Sequence, residues 1–313
     1  MSSLNGQTGA LILKDEPGGR LTLTSGTPVL TATVSAATTV YYTPCVHDQI
    51  LVYDGTNFVP TTFSELSQAT TDTTKSPAAV TTNSNYDLFV WNNSGTIRCT
   101  RGPAWTSDTA RGTGAGTTEL TRVNGLLLNA NAITNGPGAQ RGTYVGTIRS
   151  NGSSQIDFIF GAAAAGGTAA WFGVWNAYNR VTVETTVNDT TDSWSYGTTT
   201  WRPADNSTTM RISFVTGLQQ DGFSFSHIAQ ATSGAGSGGA AGVGLDSTTT
   251  PSGIFVEATG AFTAPFPSRA SGTFLGFHYA QALENMVGSP AITFYGDNGG
   301  TVIQSGFTGT LRM

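Results

Sequence analysis

Residues 87–99 have the sequence DLFVWNNSGTIRC, in which an apolar run leads into a polar segment at 92–95 and a second β-prone run follows. Aromatic and β-branched residues favour strands, and a short segment rich in Asn, Ser and Gly between two such runs predicts a β-hairpin. The preceding sequence has the same character, with strand candidates at 38–44 and at 49–53 and an Asp54-Gly55 turn signal after the second. This part of the chain is therefore predicted to consist of short antiparallel strands.

The same pattern continues to the C-terminus. Short strand candidates recur with turn signals between them and with almost no helical period. They are residues 126–134, 143–149, 155–160, 170–175, 179–187, 210–217, 222–230, 254–263, 273–282, 291–296 and 301–312. Many short strands at a spacing of roughly 8–12 residues predict an all-β sandwich or barrel, and long connections favour a jelly-roll-like β-sandwich. Two segments are expected to differ, residues 62–67 as a helical turn and the glycine-rich residues 233–244 as a flexible loop.

The length of 313 residues corresponds to about two domains. We expect an extended N-terminal arm over residues 1–36, a small β domain over 37–110 and the jelly-roll-like sandwich over 111–313. The arm would serve as an anchor, and its candidate anchoring residues are the apolar side chains Leu4, Leu11, Ile12 and Leu13. A terminal segment of this kind is ordered only when a partner holds it, which suggests a neighbouring subunit.

The composition excludes several classes of protein. Charged residues make up 11% of the sequence and the net charge is −5, whereas nucleic-acid binding needs a basic footprint. No apolar run approaches the roughly 20 residues of a membrane span, and the first residues lack the pattern of a signal peptide. Hydrophobic residues at 38% are too abundant for a disordered chain. We therefore expect a folded, β-rich protein with no nucleic-acid partner and no membrane insertion.

Neither a metal nor a cofactor is predicted. The two cysteines, Cys45 and Cys99, fit no zinc or redox spacing, so we expect two free thiols, although one disulfide is arithmetically possible. Residues 234–239 formally match GxGxxG. A dinucleotide-binding fingerprint needs a strand before those glycines and a helix after them, and the surrounding sequence predicts neither.

Three carboxylates lie close to aromatic residues, a composition that would suit a sugar cleft. They are Glu184, Asp189 and Asp192, and glycoside hydrolysis requires two carboxylates flanking the scissile bond. The alternation of apolar and polar residues around Glu184 instead predicts a strand with this side chain on its solvent-exposed face. Residues 189–193 are typical of a turn. No catalytic residues are therefore predicted.

The densest run of aromatic residues in the chain supplies the candidate binding residues. Exposed Trp and Tyr side chains can stack on sugar rings or anchor a protein interface, whereas buried ones would form the core or a subunit seam. We favour burial for most of this run. If the run is exposed, the candidate contact residues are Trp171, Trp175, Tyr178, Trp194 and Trp201.

Several segments resemble a family of tailed-bacteriophage virion structural proteins of the fibre, spike or head-decoration type. LNGQTGALIL at 4–13 resembles a segment that recurs in tailed-phage fibres, and PGGRLTLTSGTPV at 17–29 resembles a stretch of the virion family. The similarity continues through YYTP at 41–44, VYDG at 52–55, YDLFVW at 86–91 and RGPAW at 101–105. Cys45 departs from this pattern, because a larger residue is expected there.

The resemblance implies a non-enzymatic, homo-oligomeric structural protein of the virion, usually trimeric, and transfers no catalytic residues. We expect a surface-projecting fibre or spike, assembled in the host bacterial cytoplasm, anchored by its arm to capsid or tail proteins and contacting the host surface, where a glycan is a possible partner. One alternative is a capsid-decorating protein that stabilises the shell. Another is a tailspike that degrades polysaccharide.

Overall fold

The computed structural model describes residues 16–161, 168–299 and 302–313, and strands account for nearly all of its regular structure. The expected all-β class is confirmed, while the jelly-roll-like connection of the strands stays a prediction. The strands are β1 Gly19–Thr22, β2 Val34–Ala37, β3 Thr39–Pro44, β4 Gln49–Tyr53, β5 Phe58–Thr62, β6 Leu66–Ala69, β7 Asn85–Asn93, β8 Thr96–Ala104, β9 Leu120–Val123, β10 Leu126–Asn129, β11 Thr143–Arg149, β12 Ile156–Ile159, β13 Ala170–Phe172, β14 Val174–Asn176, β15 Thr182–Val187, β16 Ser193–Tyr196, β17 Arg202–Pro203, β18 Arg211–Thr216, β19 Gly222–Ser233, β20 Ser237–Leu245, β21 Ile254–Phe255, β22 Glu257–Thr259, β23 Phe262–Thr273, β24 Gly276–Gly288, β25 Ile292–Tyr295 and β26 Gly306–Arg312.

These strands form five sheets. Two small sheets have the orders β1-β3-β6 and β4-β5, and a six-stranded sheet has the order β8-β7-β11-β10-β9 with β14 also paired to β11. An eight-stranded sheet runs β2-β12-β13-β18-β24-β20-β22, with β17 beside β24. A seven-stranded sheet runs β15-β26-β19-β23-β21, with β25 joining β16 to β19. The two largest sheets pack against each other where β19 and β23 meet β20.

The hairpin predicted at 87–99 is present and extends further at both ends. Strands β7 and β8 are antiparallel with Trp91 opposite Arg98, and the connection turns through Ser94 and Gly95, both at positive φ. Positive φ at both central residues suits the right-handed twist of the two strands. The apolar run at 88–90 is fully buried, which fixes this hairpin in the core.

The sheets cross both expected domain boundaries. Strand β2 pairs with β12, and β7 pairs with β11, so the six- and eight-stranded sheets each combine residues from both sides of position 110. The expected arm over residues 1–36 is also corrected in part. Strand β1 pairs along its whole length with β3, and Leu21 and Leu23 are buried core residues. The proposed anchoring residues Leu4, Leu11, Ile12 and Leu13 lie outside the described residues.

Two local predictions are wrong. Residues 62–67 form no helical turn, because Thr62 ends β5 and Leu66 begins β6. The glycine-rich segment 233–244 is not a loop, since most of it is β20, which is buried and pairs with β24 over nine residues. Glycine and alanine have low strand propensity, but here their small size lets neighbouring side chains approach the strand closely.

One face of the seven-stranded sheet points to solvent. Along β19, the odd-numbered residues from 223 to 231 are buried and the even-numbered residues are wholly or partly exposed, as expected for a strand that covers a core on one side. No helix among the described residues is long and apolar enough to span a membrane.

Candidate functional site

Two of the five aromatic residues named as candidate contacts are buried in the core and are not available as exposed contacts. Trp175 of β14 is fully buried, and the guanidinium of Arg180 lies 5.1 Å from the centre of its ring. Trp194 of β16 is only 9% exposed, and its indole Nε1 donates a hydrogen bond to Glu284 Oε2 at 2.6 Å. Both side chains are held by partners inside the chain.

The other three aromatic residues are half-buried and have separate surroundings. The ring of Trp171 packs against Phe277 at 5.1 Å, and that of Trp201 packs edge-on against Phe255 at 5.1 Å. Tyr178 lines a small cleft, and burial raises its pKa to about 12. The five aromatics are therefore held by different elements, each with its own neighbours.

The three carboxylates considered for hydrolysis have different surroundings. Glu184 is exposed on the outward side of β15, as the alternation predicts. Asp189 is buried and accepts hydrogen bonds from the Thr191 backbone N–H and the Thr209 hydroxyl, both at 2.9 Å. Asp192 is exposed and accepts a hydrogen bond from the Gly299 backbone. The backbone bonds to Asp189 and Asp192 hold turns together.

A buried carboxylate that the sequence analysis did not single out lies near Trp194. Glu284 of β24 accepts hydrogen bonds from the indole of Trp194 and from Arg202 Nε, the latter at 2.7 Å. Burial raises the pKa of Glu284 to about 7, although both partners favour its charged form. The arrangement joins β16, β17 and β24 and therefore stabilises the packing of these strands.

A second buried network connects the central hairpin to β11. Arg111 Nε lies 2.6 Å from Asp87 Oδ2, and Thr147 Oγ1 donates to Asp87 Oδ1 at 2.6 Å. The Tyr144 hydroxyl lies 2.7 Å from Thr147 Oγ1 and accepts from Arg111. Because these polar groups satisfy one another inside the protein, the network stabilises the sheet.

Both cysteines are free thiols. Cys99 is buried, which raises its pKa to about 12, and Cys45 is half-buried. A thiol with so high a pKa is a poor nucleophile, because the thiolate is the reactive form. Within the described ranges, no cluster of three or more His, Cys, Asp or Glu side chains has an arrangement that could hold a metal ion.

An open cleft of about 430 Å³ lies between the β4–β5 hairpin, the β7–β8 turn and the loop at 138–141. We call it the hairpin cleft. Its side chains are both aromatic and polar, a combination found in sites for small molecules. Those used below are Tyr53, Asp54, Trp91, Asn92 and Arg141.

One wall of the hairpin cleft is the tight turn after β4. The Asp54 carboxylate accepts hydrogen bonds from the backbone N–H groups of Asn57 and Thr56, each at 2.8 Å. These two bonds hold the pKa of Asp54 below its usual value. Gly55 has φ of +107°, a conformation that favours glycine. The Asp-Gly turn noted in the sequence therefore places a charged carboxylate at the rim.

Arg141 and Trp91 form the other sides of the hairpin cleft. The guanidinium of Arg141 lies 5.7 Å from the centre of the Tyr53 ring and beside Gly55, where an added Cβ would come within 2.2 Å of Nη2. The indole Nε1 of Trp91 donates to Thr100 Oγ1 at 2.7 Å, which fixes the orientation of the ring. Sequence analysis placed each segment separately but gave no signal that they meet.

No protein-family model matches this chain, and no curated protein matches it significantly.

Proposed function

We propose that this protein is a non-enzymatic structural component of a virion, a homo-oligomeric fibre or spike that projects from the particle and contacts the host surface. The segments that resemble phage virion proteins motivate the proposal. The observation that carries it is the solvent-facing side of the seven-stranded sheet, because its composition suits contact with further copies of the chain.

This outer face is poor in charge and carries exposed aliphatic side chains. Ile254 is 75% exposed and Ile228 is 48% exposed, and the register places Ile228 opposite Pro267 and Ile254 opposite Arg269. Most of the remaining outward residues are short and uncharged. They are Ser224, Ser226, Gln230 and Thr232 of β19, Thr308 and Thr310 of β26, Thr182 and Thr186 of β15, and Thr263, Pro265 and Ser271 of β23.

A second copy of the chain is the occupant that fits this face. Among the outward residues of these strands the charged ones are Glu184 at one margin, Arg312 beside it and Arg269 towards the other margin. In a cyclic oligomer, Glu184 of one subunit would approach Arg269 of the next, and the exposed isoleucines would be covered.

The test is the mass of the purified full chain by light scattering after gel filtration. We expect a multiple of the 32.4 kDa chain mass, with three copies favoured. Ile254→Asp should shift the protein towards the monomer, because a charge would be buried at the seam. Val46→Asp is the matched control, since Val46 is 65% exposed but lies outside this sheet. A monomeric wild-type chain, or equal effects of the two substitutions, would refute the proposal.

A further inference from the structure

We propose that the hairpin cleft binds a carboxylated saccharide, with Arg141 on the sugar carboxylate, Tyr53 and Trp91 against the ring and Asp54 on the hydroxyl groups. This inference names a class of ligand for the proposed contact with the host surface. It rests on that proposal only for its biological role.

The aromatic side chains provide apolar faces in an otherwise polar cleft. Tyr53 and Trp91 come from separate hairpins and line the same space. Each has a partner that restrains it, since Tyr53 packs against Phe58 at 5.0 Å and Trp91 donates its indole N–H to Thr100. Saccharide rings present C–H groups on one face and hydroxyl groups at the edge, so restrained aromatic rings beside polar groups suit them.

Arg141 indicates that the ligand carries a negative charge. Its side chain is exposed in the cleft, and in the part of the chain that the structure describes it forms no ion pair with a carboxylate. A guanidinium offers two parallel N–H groups that match the geometry of a carboxylate. The guanidinium lies over the neighbouring Tyr53 ring, 5.7 Å from the ring centre. A neutral sugar would leave this donor pair unused.

Asp54 argues against a simple anion such as sulfate. Its carboxylate stays charged because backbone N–H groups bind it, and it is near enough to Arg141 for the two charges to interact. Asp54 repels any anion bound at Arg141, the sugar carboxylate included, and sulfate has no hydroxyl groups to offset this repulsion. A saccharide that carries both a carboxylate and hydroxyl groups can satisfy Arg141 and Asp54 together, because an aspartate accepts hydrogen bonds from hydroxyls.

The cleft walls are attached to the main sheets. Thr143 Oγ1 of β11 donates to the Leu51 carbonyl of β4 at 2.6 Å, which ties the β4–β5 hairpin to the six-stranded sheet. In the β7–β8 turn, the Asn92 carboxamide oxygen accepts from the Gly95 backbone at 2.6 Å. A site held this way loses little conformational entropy when a ligand binds.

The experiment is isothermal titration of the full chain with trigalacturonate, 3′-sialyllactose, maltotriose, lactose and, as a simple anion, sulfate, all at one fixed ionic strength. We expect at least one of the two acidic saccharides to bind, and each neutral one to bind at least about tenfold more weakly. Arg141→Gln should weaken binding of the acidic saccharide about tenfold or more, because a charge-assisted pair is lost. Tyr53→Val should weaken it several-fold.

The control is Arg122→Gln, which removes an exposed arginine that lies outside the hairpin cleft and should leave affinity unchanged. The far-UV circular dichroism of every variant is recorded, and Arg141→Gln should fold normally because Arg141 is exposed. Failure of both acidic saccharides to bind at about 10 mM would overturn the inference. So would equal binding of neutral sugars, unchanged affinity in Arg141→Gln, or equally tight binding of sulfate.

The outcome is separable from that of the oligomer test. Affinity is measured per chain, so a monomeric protein that binds trigalacturonate through Arg141 would refute the seam and leave the cleft supported. An oligomer that binds no saccharide would support the seam and overturn the inference about the cleft.

Discussion

At the scale of single residues, His227 shows how a polar side chain is accommodated between the two large sheets. It lies on the inward side of β19, fully buried, with Nδ1 3.3 Å from the Gly242 carbonyl of β20 and its ring edge-on to Phe307. Burial lowers its pKa to about 4. The alternation in β19 places residue 227 inward, but the sequence did not indicate that a histidine there would remain neutral.

This histidine should make stability depend on pH. An unfolded histidine takes up its proton near pH 6.5, whereas folded His227 does so only near pH 4, so acid favours the unfolded chain in this window. We expect the His227 contribution to fall by about 3 kcal/mol as the pH falls from 7 to 4. The measurement is urea unfolding of the wild type and His227→Gln across this range.

The comparison with the variant is needed because Glu284 acts in the opposite direction. Its folded pKa is raised to about 7, so the folded protein binds an extra proton between about pH 4.5 and 7, and its contribution weakens as the pH rises. This slope is common to both proteins and cancels in their difference. A difference in unfolding free energy that does not change with pH would contradict the assignment to His227.

At the scale of elements, local pattern predicted the strands that alternate or carry a clear turn. The hairpin at 87–99 was found from its own residues, and the candidate at 143–149 coincides with β11. The strand β20 was missed because its sequence is rich in glycine and alanine, and only pairing with β24 and β22 makes it a strand. That information lies outside the segment itself, since Gly244 pairs with Gln281, a residue of β24.

Small residues in β20 should be required for packing. An added Cβ at Gly244 would lie 2.2 Å from the Ser247 carbonyl oxygen, a backbone atom that cannot move without distorting the turn. Gly244→Ala should therefore destabilise the protein by about 1–3 kcal/mol through overpacking. Chemical denaturation followed by tryptophan fluorescence would measure this.

The matched control for Gly244→Ala is Gly222→Ala at the start of β19. An added Cβ at Gly222 meets no atom within 4 Å, so this substitution should change stability by less than about 0.5 kcal/mol. Equal midpoints for the two variants would show that the close approach at Gly244 relaxes without cost.

At the scale of the whole molecule, the candidate site was the least predictable feature. Tyr53, Trp91 and Arg141 belong to segments that the sequence analysis assigned to two domains, and a hydrogen bond from Thr143 to Leu51 links the β4–β5 hairpin to β11. The aromatic run at 171–201 gave a stronger signal in sequence, yet two of its tryptophans lie in the core. Aromatic residues that cluster along a chain can indicate a buried core, whereas a binding site depends on contacts between distant segments.

The proposed anchoring role of the N-terminus also depends on the whole fold. Deleting residues 1–30 would remove β1 with its buried Leu21, the buried Leu23 that follows it, and Arg20, which donates a hydrogen bond to the backbone carbonyl of Met313 at 3.2 Å. Losing the burial of each leucine costs about 1.5–3 kcal/mol, so this truncated chain should misfold. Deleting only residues 1–15 keeps β1 and should preserve the thermal midpoint and the oligomeric mass. If Leu4, Leu11, Ile12 and Leu13 anchor the protein, this shorter truncation should be absent from purified particles by immunoblot, whereas its normal incorporation would rule out the anchor.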